Sequence, residues 1–205
     1  MPLLIGKNTV YFHTPKCGGS WIRKTVENAG LPICEIIPAV RNDRKINGHS
    51  NIRINDIVHM PSLLFPIEDK FCFTTVRNPL TWLISTFRHY QRVGWPDSEI
   101  ENKTKSKYFN EFAGKYEKYF PGIMGKNFDT YTYHCQFVGK QENLADDLVK
   151  ALRLGGEEFD EEKLRATAPV NKNTVAKDET YHPEVKRLVI EKEKSFIEQY
   201  YPDIL

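Results

Sequence analysis

The stretch Thr14-Pro15-Lys16-Cys17-Gly18-Gly19-Ser20-Trp21 gathers the groups best suited to hold an anion. Two adjacent glycines let backbone N–H groups approach a phosphate or sulfate closely. Lys16 brings a mobile full charge and Ser20 a hydroxyl donor, and a helix starting at Ser20 adds the positive end of its dipole. A second cluster begins at Arg77-Asn78-Pro79. Its guanidinium can grip a phosphate through two parallel hydrogen bonds, and Ser85 follows two helical turns on. The six histidines are the pool for a proton acceptor working near neutral pH. One of them, His49 in Asn47-Gly48-His49-Ser50, falls between the two anion clusters in the chain. Fixed cations with a base nearby fit the transfer of an anionic group.

Elements must place these residues. Thr9 to Phe12 reads as a short buried strand, Thr14 to Gly19 as a tight loop, and Ser20 onward as a helix with Ile22, Val26 and Ala29 on one face, stopped by Gly30. Ile33 to Ile37 reads as a second strand and Phe71 to Val76 as another. Asn78-Pro79 opens a helix with Pro at its first position. Leu80, Leu83, Ile84 and Phe87 form its apolar stripe, and Thr81, Ser85, Arg88 and Arg92 lie on an adjacent flank. Trp95 to Lys107 lacks periodicity and reads as a loop able to cover a site. Tyr133 to Val138 is a further strand, and Glu142 to Leu154 a helix ended by Gly155-Gly156. A last helix starts near Pro183 with Val185, Leu188, Val189 and Phe196 on one face. Strands alternating with helices predict an α/β fold, a parallel sheet covered on both sides, in a single domain over 1–205.

Composition narrows the function classes. Twenty-nine Lys and Arg against 27 Asp and Glu give a net charge of +2. So even a balance disfavours bulk binding to nucleic acid or to a membrane surface, and any anion site is local. No apolar run approaches the ~20 residues of a membrane span, so a cytoplasmic location is expected. Cys17, Cys34, Cys72 and Cys135 are widely spaced, which fits reduced thiols. Cys17, beside Lys16 at a helix start, is the one placed for a lowered pKa. The loop is not a Walker A sequence, because Lys16 precedes the glycines. Arg77 and Asn78 also stand where a magnesium-binding Asp would, so an anion handled without metal is expected.

The residues Phe12-His13-Thr14-Pro15-Lys16-Cys17-Gly18-Gly19-Ser20 resemble the 5′-phosphosulfate loop of sulfotransferases that use 3′-phosphoadenosine 5′-phosphosulfate (PAPS), particularly the carbohydrate type with F-x-H-x-P-K-x-G-G-[ST]. Phe73 to Ser85 is similar to the family's 3′-phosphate motif, V-R-[DN]-P-x-x-R-x-x-S, departing from it at Trp82. Phe137-Val138-Gly139-Lys140-Gln141-Glu142-Asn143-Leu144 resembles its F-V-G-[KR]-x-E-x-L stretch, and Val170 to Thr174 its V-N-x-[ST] segment.

The resemblance implies a P-loop-NTPase-like, three-layer sulfotransferase fold around a parallel sheet. It further implies transfer of a sulfuryl group from PAPS to a hydroxyl or amine of a carbohydrate or other small acceptor, with adenosine 3′,5′-bisphosphate (PAP) as product. Pro15, Lys16, Cys17, Gly18, Gly19, Ser20, Trp21, Arg77, Ser85 and Lys172 are then donor-binding. Lys16 offsets charge on the bridging oxygen, His49 is the base, with Glu35 as a carboxylate alternative, and His13 orients the loop by hydrogen bonding. Two other classes stay open on the residues: a kinase-like P-loop transferase, which needs Mg²⁺ ligands, and a module that binds nucleotide without catalysis.

Overall fold

Side chains that alternate between two faces build the sheet. The computed structural model describes residues 2–36, 59–64, 67–168, 170 and 179–205. Among these, β1 (Leu3–Ile5), β2 (Thr9–Phe12), β3 (Ile33–Glu35), β4 (Phe71–Val76) and β5 (Phe137–Lys140) form one sheet in the order β3-β1-β2-β4-β5. β2, β4 and β5 are mutually parallel, with Tyr11 opposite Phe73 and Phe73 opposite Phe137. β1 runs antiparallel to both of its neighbours. The expected parallel sheet is therefore a mostly parallel one. The apolar segment before Lys7 supplies the reversed strand, because the hairpin turn at Gly6 (φ 62°) folds it back on β2.

The chain divides into two compact units, Met1–Val76 with Thr130–Val170, and Arg77–Asp129 with Asn171–Leu205. In the first, α1 (Gly19–Asn28), α6 (Leu144–Leu154) and α7 (Glu161–Arg165) supply Ile22, Val26, Leu148, Val149, Ala151, Leu152 and Leu164 to a core with Leu3, Ile5, Tyr11 and Phe73. Burying each of the Ile, Val and Leu side chains is worth roughly 1.5–3 kcal/mol. The opposite face carries Val10, Phe12 and Cys72, packed with Leu4, Ile36, Ile67 and Cys135. Gly30 (φ 79°) ends α1 as its sequence predicts.

The second unit holds α2 (Pro79–Val93), α3 (Glu99–Thr104), α4 (Phe109–Tyr119), most of α5 (Ile123–Thr132), α8 (Pro183–Lys192) and α9 (Lys194–Tyr200). Asn78 caps α2 by accepting from the Leu80 amide at 2.9 Å. Its buried face is Pro79, Trp82, Leu83, Thr86 and Phe87 rather than the stripe through Leu80 and Ile84. Trp82 rotates that face inward by packing edge-on against Tyr116 and Phe128.

Three further expectations need correction. Trp95 to Lys107 is not all loop, since α3 forms at its centre with Glu99 and Glu101 in its first turn. The strand expected from Tyr133 starts at Phe137. The single C-terminal helix breaks at Glu193, whose buried carboxylate accepts from the Met124 and Gly125 amides at the start of α5. No helix among the described residues is long and apolar enough to cross a membrane.

Candidate anion-binding site

The chain leaves β2 at Phe12 and enters α1 at Gly19, so the loop sits at the C-terminal end of a central strand. The Cys17 amide donates to Thr14 O at 3.3 Å, closing a turn that holds Lys16 in the left-handed region (φ 65°). Gly18 follows with φ 94°, and its carbonyl accepts from the Trp21 and Ile22 amides. α1 has no side-chain cap and no acidic residue in its first turn. Its first N–H groups and dipole therefore meet no negative charge from the helix itself, which suits an external anion. Ser20 is exposed at that end and Lys16 half-buried beside it.

Gly18 is favoured by its left-handed backbone, and Gly19 by the ring packed over it. A Cβ on Gly18 would lie 2.5 Å from Leu144 Cδ2, and one on Gly19 would lie 2.2 Å from His13 Nε2. Cys17 is fully buried and its thiol donates to Pro15 O at 3.4 Å. Any contact from Cys17 to an anion is thus a backbone contact.

Hydroxyls at the end of β4 hold the loop. Thr74 Oγ1 donates to Phe12 O at 2.7 Å and lies 2.7 Å from Thr14 Oγ1. Thr75 Oγ1 donates to Cys17 O at 2.9 Å and lies 3.1 Å from the Tyr11 hydroxyl. Adjacent strand residues point to opposite faces, so the loop is fastened from both sides of the sheet. This buttress was missed in the sequence, where Thr74 and Thr75 read as strand formers. Their position at the end of the strand next to the loop was the available signal.

His13 packs its ring over Gly19 and edge-on to His59, with centroids 4.7 Å apart. Burial and then the neighbouring His59 push its pKa down to about 3, so the ring is neutral at physiological pH. His59 Nδ1 meets His13 O at 3.2 Å, and the Tyr131 hydroxyl donates to His59 O at 2.6 Å. His13 thus orients the loop through ring packing. His59 adjoins the loop as well.

In the second unit, Arg77 follows directly on β4 and its Nε donates to Thr81 Oγ1 at 2.9 Å, while Thr81 Oγ1 donates to Asn78 O at 3.1 Å. These bonds tie the base of the Arg77 guanidinium to the first turn of α2. Ser85 lies on the half-buried flank of the same helix, and Arg88 is ion-paired with Glu179.

His49 and Lys172 lie outside the described residues, as does Asn171. Glu35, the alternative base, is exposed on β3 and ion-paired with Arg23. The Trp21 indole donates to Thr167 O at 3.2 Å and packs against the core, so its side chain docks the segment after α7. Among the described residues no three His, Cys, Asp or Glu side chains converge on a point that would hold a metal ion. No protein-family model, no curated protein and no solved structure matches the chain significantly.

Proposed function

We propose that this chain is a sulfotransferase that moves a sulfuryl group from PAPS to a hydroxyl or amine of a carbohydrate or other small acceptor, in the cytoplasm and without metal. The proposal includes the finer fold, a three-layer P-loop-NTPase-like sulfotransferase architecture. The loop between β2 and α1 carries the reading: Lys16 and Gly18 in left-handed conformations, before a helix start with neither a capping side chain nor an acidic first turn. Those features suit a doubly charged phosphosulfate.

In this reading the loop amides, Lys16 and Ser20 hold the 5′-phosphosulfate. Arg77 and Ser85 take the 3′-phosphate on the strength of their motif. The acceptor oxygen or nitrogen attacks sulfur in line as the bond from sulfur to the 5′-phosphate oxygen breaks. Lys16 offsets the charge that builds on that departing oxygen, and the acceptor's proton passes to the base, assigned to His49. The products are the sulfated acceptor and PAP.

Calorimetric binding of PAP, compared with ADP and ATP in the presence of chelator, tests the reading. A marked preference for the 3′-phosphorylated nucleotide, lost in Arg77→Ala, is expected. Sulfuryl transfer should disappear in Lys16→Ala with the fold intact. Binding only with Mg²⁺ would move the assignment to a kinase-like transferase. PAP binding with no PAPS consumed by any acceptor would leave a nucleotide-binding module.

A further inference from the structure

We propose that Thr75, with Tyr11 behind it, is a positioning residue that aims the loop's backbone at the 5′ end of the nucleotide; this deepens the sulfotransferase reading and rests on it. Proton inventory fixes the direction of the chain. A threonine hydroxyl has one hydrogen, and that of Thr75 goes to Cys17 O. In the contact with Tyr11 the phenol is therefore the donor. The relay runs from the Tyr11 hydroxyl to the Thr75 hydroxyl to the Cys17 carbonyl. It is buried throughout, Tyr11 at 1%, Thr75 at 2% and Cys17 at 0% exposure.

Peptide geometry turns this anchor into an aiming device. The Cys17 carbonyl and the Gly18 N–H belong to one planar trans unit and point opposite ways. Holding the carbonyl toward β4 directs the Gly18 N–H away from the sheet. The same anchor secures the residue between left-handed Lys16 and Gly18, on which the course into α1 depends. Thr74 works from the other face. Its hydrogen goes to Phe12 O, so Thr14 donates to it and the start of the loop is tied as well. Bonds in such relays reinforce one another. Without the Thr75 hydroxyl the Cys17 carbonyl loses the bond that holds it toward β4, and the Gly18 N–H shares whatever turn the peptide then makes.

The test compares wild type, Thr75→Val, Thr75→Ser and Tyr11→Phe as the full chain. Calorimetry with chelator reads affinity for PAP and for adenosine 3′-monophosphate, which lacks the 5′ phosphate. Amide hydrogen exchange of the nucleotide-free protein reads the loop directly. Thr75→Val should weaken PAP about tenfold, as for a loss of one charge-directed contact, and change the 3′-monophosphate less than about twofold. It should also speed exchange over Cys17 to Ser20, while Thr75→Ser restores both. Tyr11→Phe, which leaves β4 untouched, should shift the same readouts the same way by less, and decides the matter if Thr75→Val does not fold. Unchanged PAP affinity with unchanged loop exchange would overturn the proposal. So would equal loss for both nucleotides with exchange faster across the whole sheet, which marks a purely structural role. If wild type binds neither nucleotide, the donor assignment falls, and loop exchange alone then decides whether Thr75 holds the turn.

Discussion

The His13 imidazole fills the space that a side chain at position 19 would need, with its Nε2 2.2 Å from where a Cβ on Gly19 would stand. The ring is half-buried between β2 and His59, so it has little room to yield. Gly19→Ala should therefore displace the loop or the ring, at a cost of about 1–3 kcal/mol from overpacking. Thermal unfolding of the variant, together with amide exchange over Lys16 to Ser20, checks this. An unshifted midpoint with unaltered exchange would show that the ring moves aside freely.

The same histidine makes stability depend on pH. Its folded pKa is pushed down to about 3 from the ordinary 6.5, first by burial and then by His59. Between those values the unfolded chain takes up a proton that the folded one refuses, so stability falls as pH drops through that window. His13→Gln should flatten the fall between pH 6.5 and 4 by a few kcal/mol at most, in urea melts compared at each pH. Parallel curves for the two proteins would refute it.

Glu157 clasps the hairpin between β1 and β2. Its carboxylate accepts from the amides of Lys7 (3.0 Å), Asn8 (2.7 Å) and Thr9 (2.9 Å) and from the Thr9 hydroxyl (3.0 Å). Burial alone raises its pKa, but the hydrogen bonds together outweigh it and hold the group below the ordinary carboxylate value. The stabilisation is present above the unfolded value and is lost as pH falls through the folded one. Glu157→Gln should cost about 1–3 kcal/mol at pH 7, and less as pH falls below the unfolded carboxylate value. Gly6→Ala, whose Cβ would fall 1.9 Å from Glu157 Oε2, should break the same clasp.

Glu117 in α4 behaves in the opposite sense. Burial, and next the Glu193 carboxylate, raise its pKa to about 8 from 4.5, against the pull of the Gly122 amide and Lys192. The folded protein keeps a proton there that the unfolded chain releases. Its stability is thus fully present below about pH 4.5, declines as pH rises and is lost once pH passes the folded value. Glu117→Gln should be the more stable protein at pH 9 by a few kcal/mol, and near wild type at pH 5. Equal unfolding midpoints of the two at pH 9 would rule out a buried, protonated Glu117.

Much of the backbone around Lys16 was legible because it is local in the chain. Thr9 to Phe12 is β-branched and aromatic, Gly18-Gly19 permits a left-handed turn, and Ile22, Val26 and Ala29 repeat at helical spacing. Within that span each neighbour reinforces the next, so the strand, the turn at Gly18 and the helix follow from residue types, whereas the left-handed Lys16 does not. The cap at Asn78 and the stop at Gly30 are readable for the same reason.

What depends on distant partners was not legible. The buried face of α2 is set by where Trp82 meets Tyr116 and Phe128, and the break at Glu193 by the amides of Met124 and Gly125. The first apolar residues pair as a reversed strand across a turn at Gly6, where a carboxylate about 150 positions away accepts from the Lys7 amide. Thr74 and Thr75 look like ordinary strand residues until the parallel register of β2 with β4 brings them under the loop. By itself the sequence determined the type and order of the chemical groups near Lys16 and Arg77, since short-range backbone preferences carry them. Tertiary structure decided which buried hydroxyls and rings hold that loop in shape. A hydrogen bond between residues some 60 positions apart exists only once the sheet has formed.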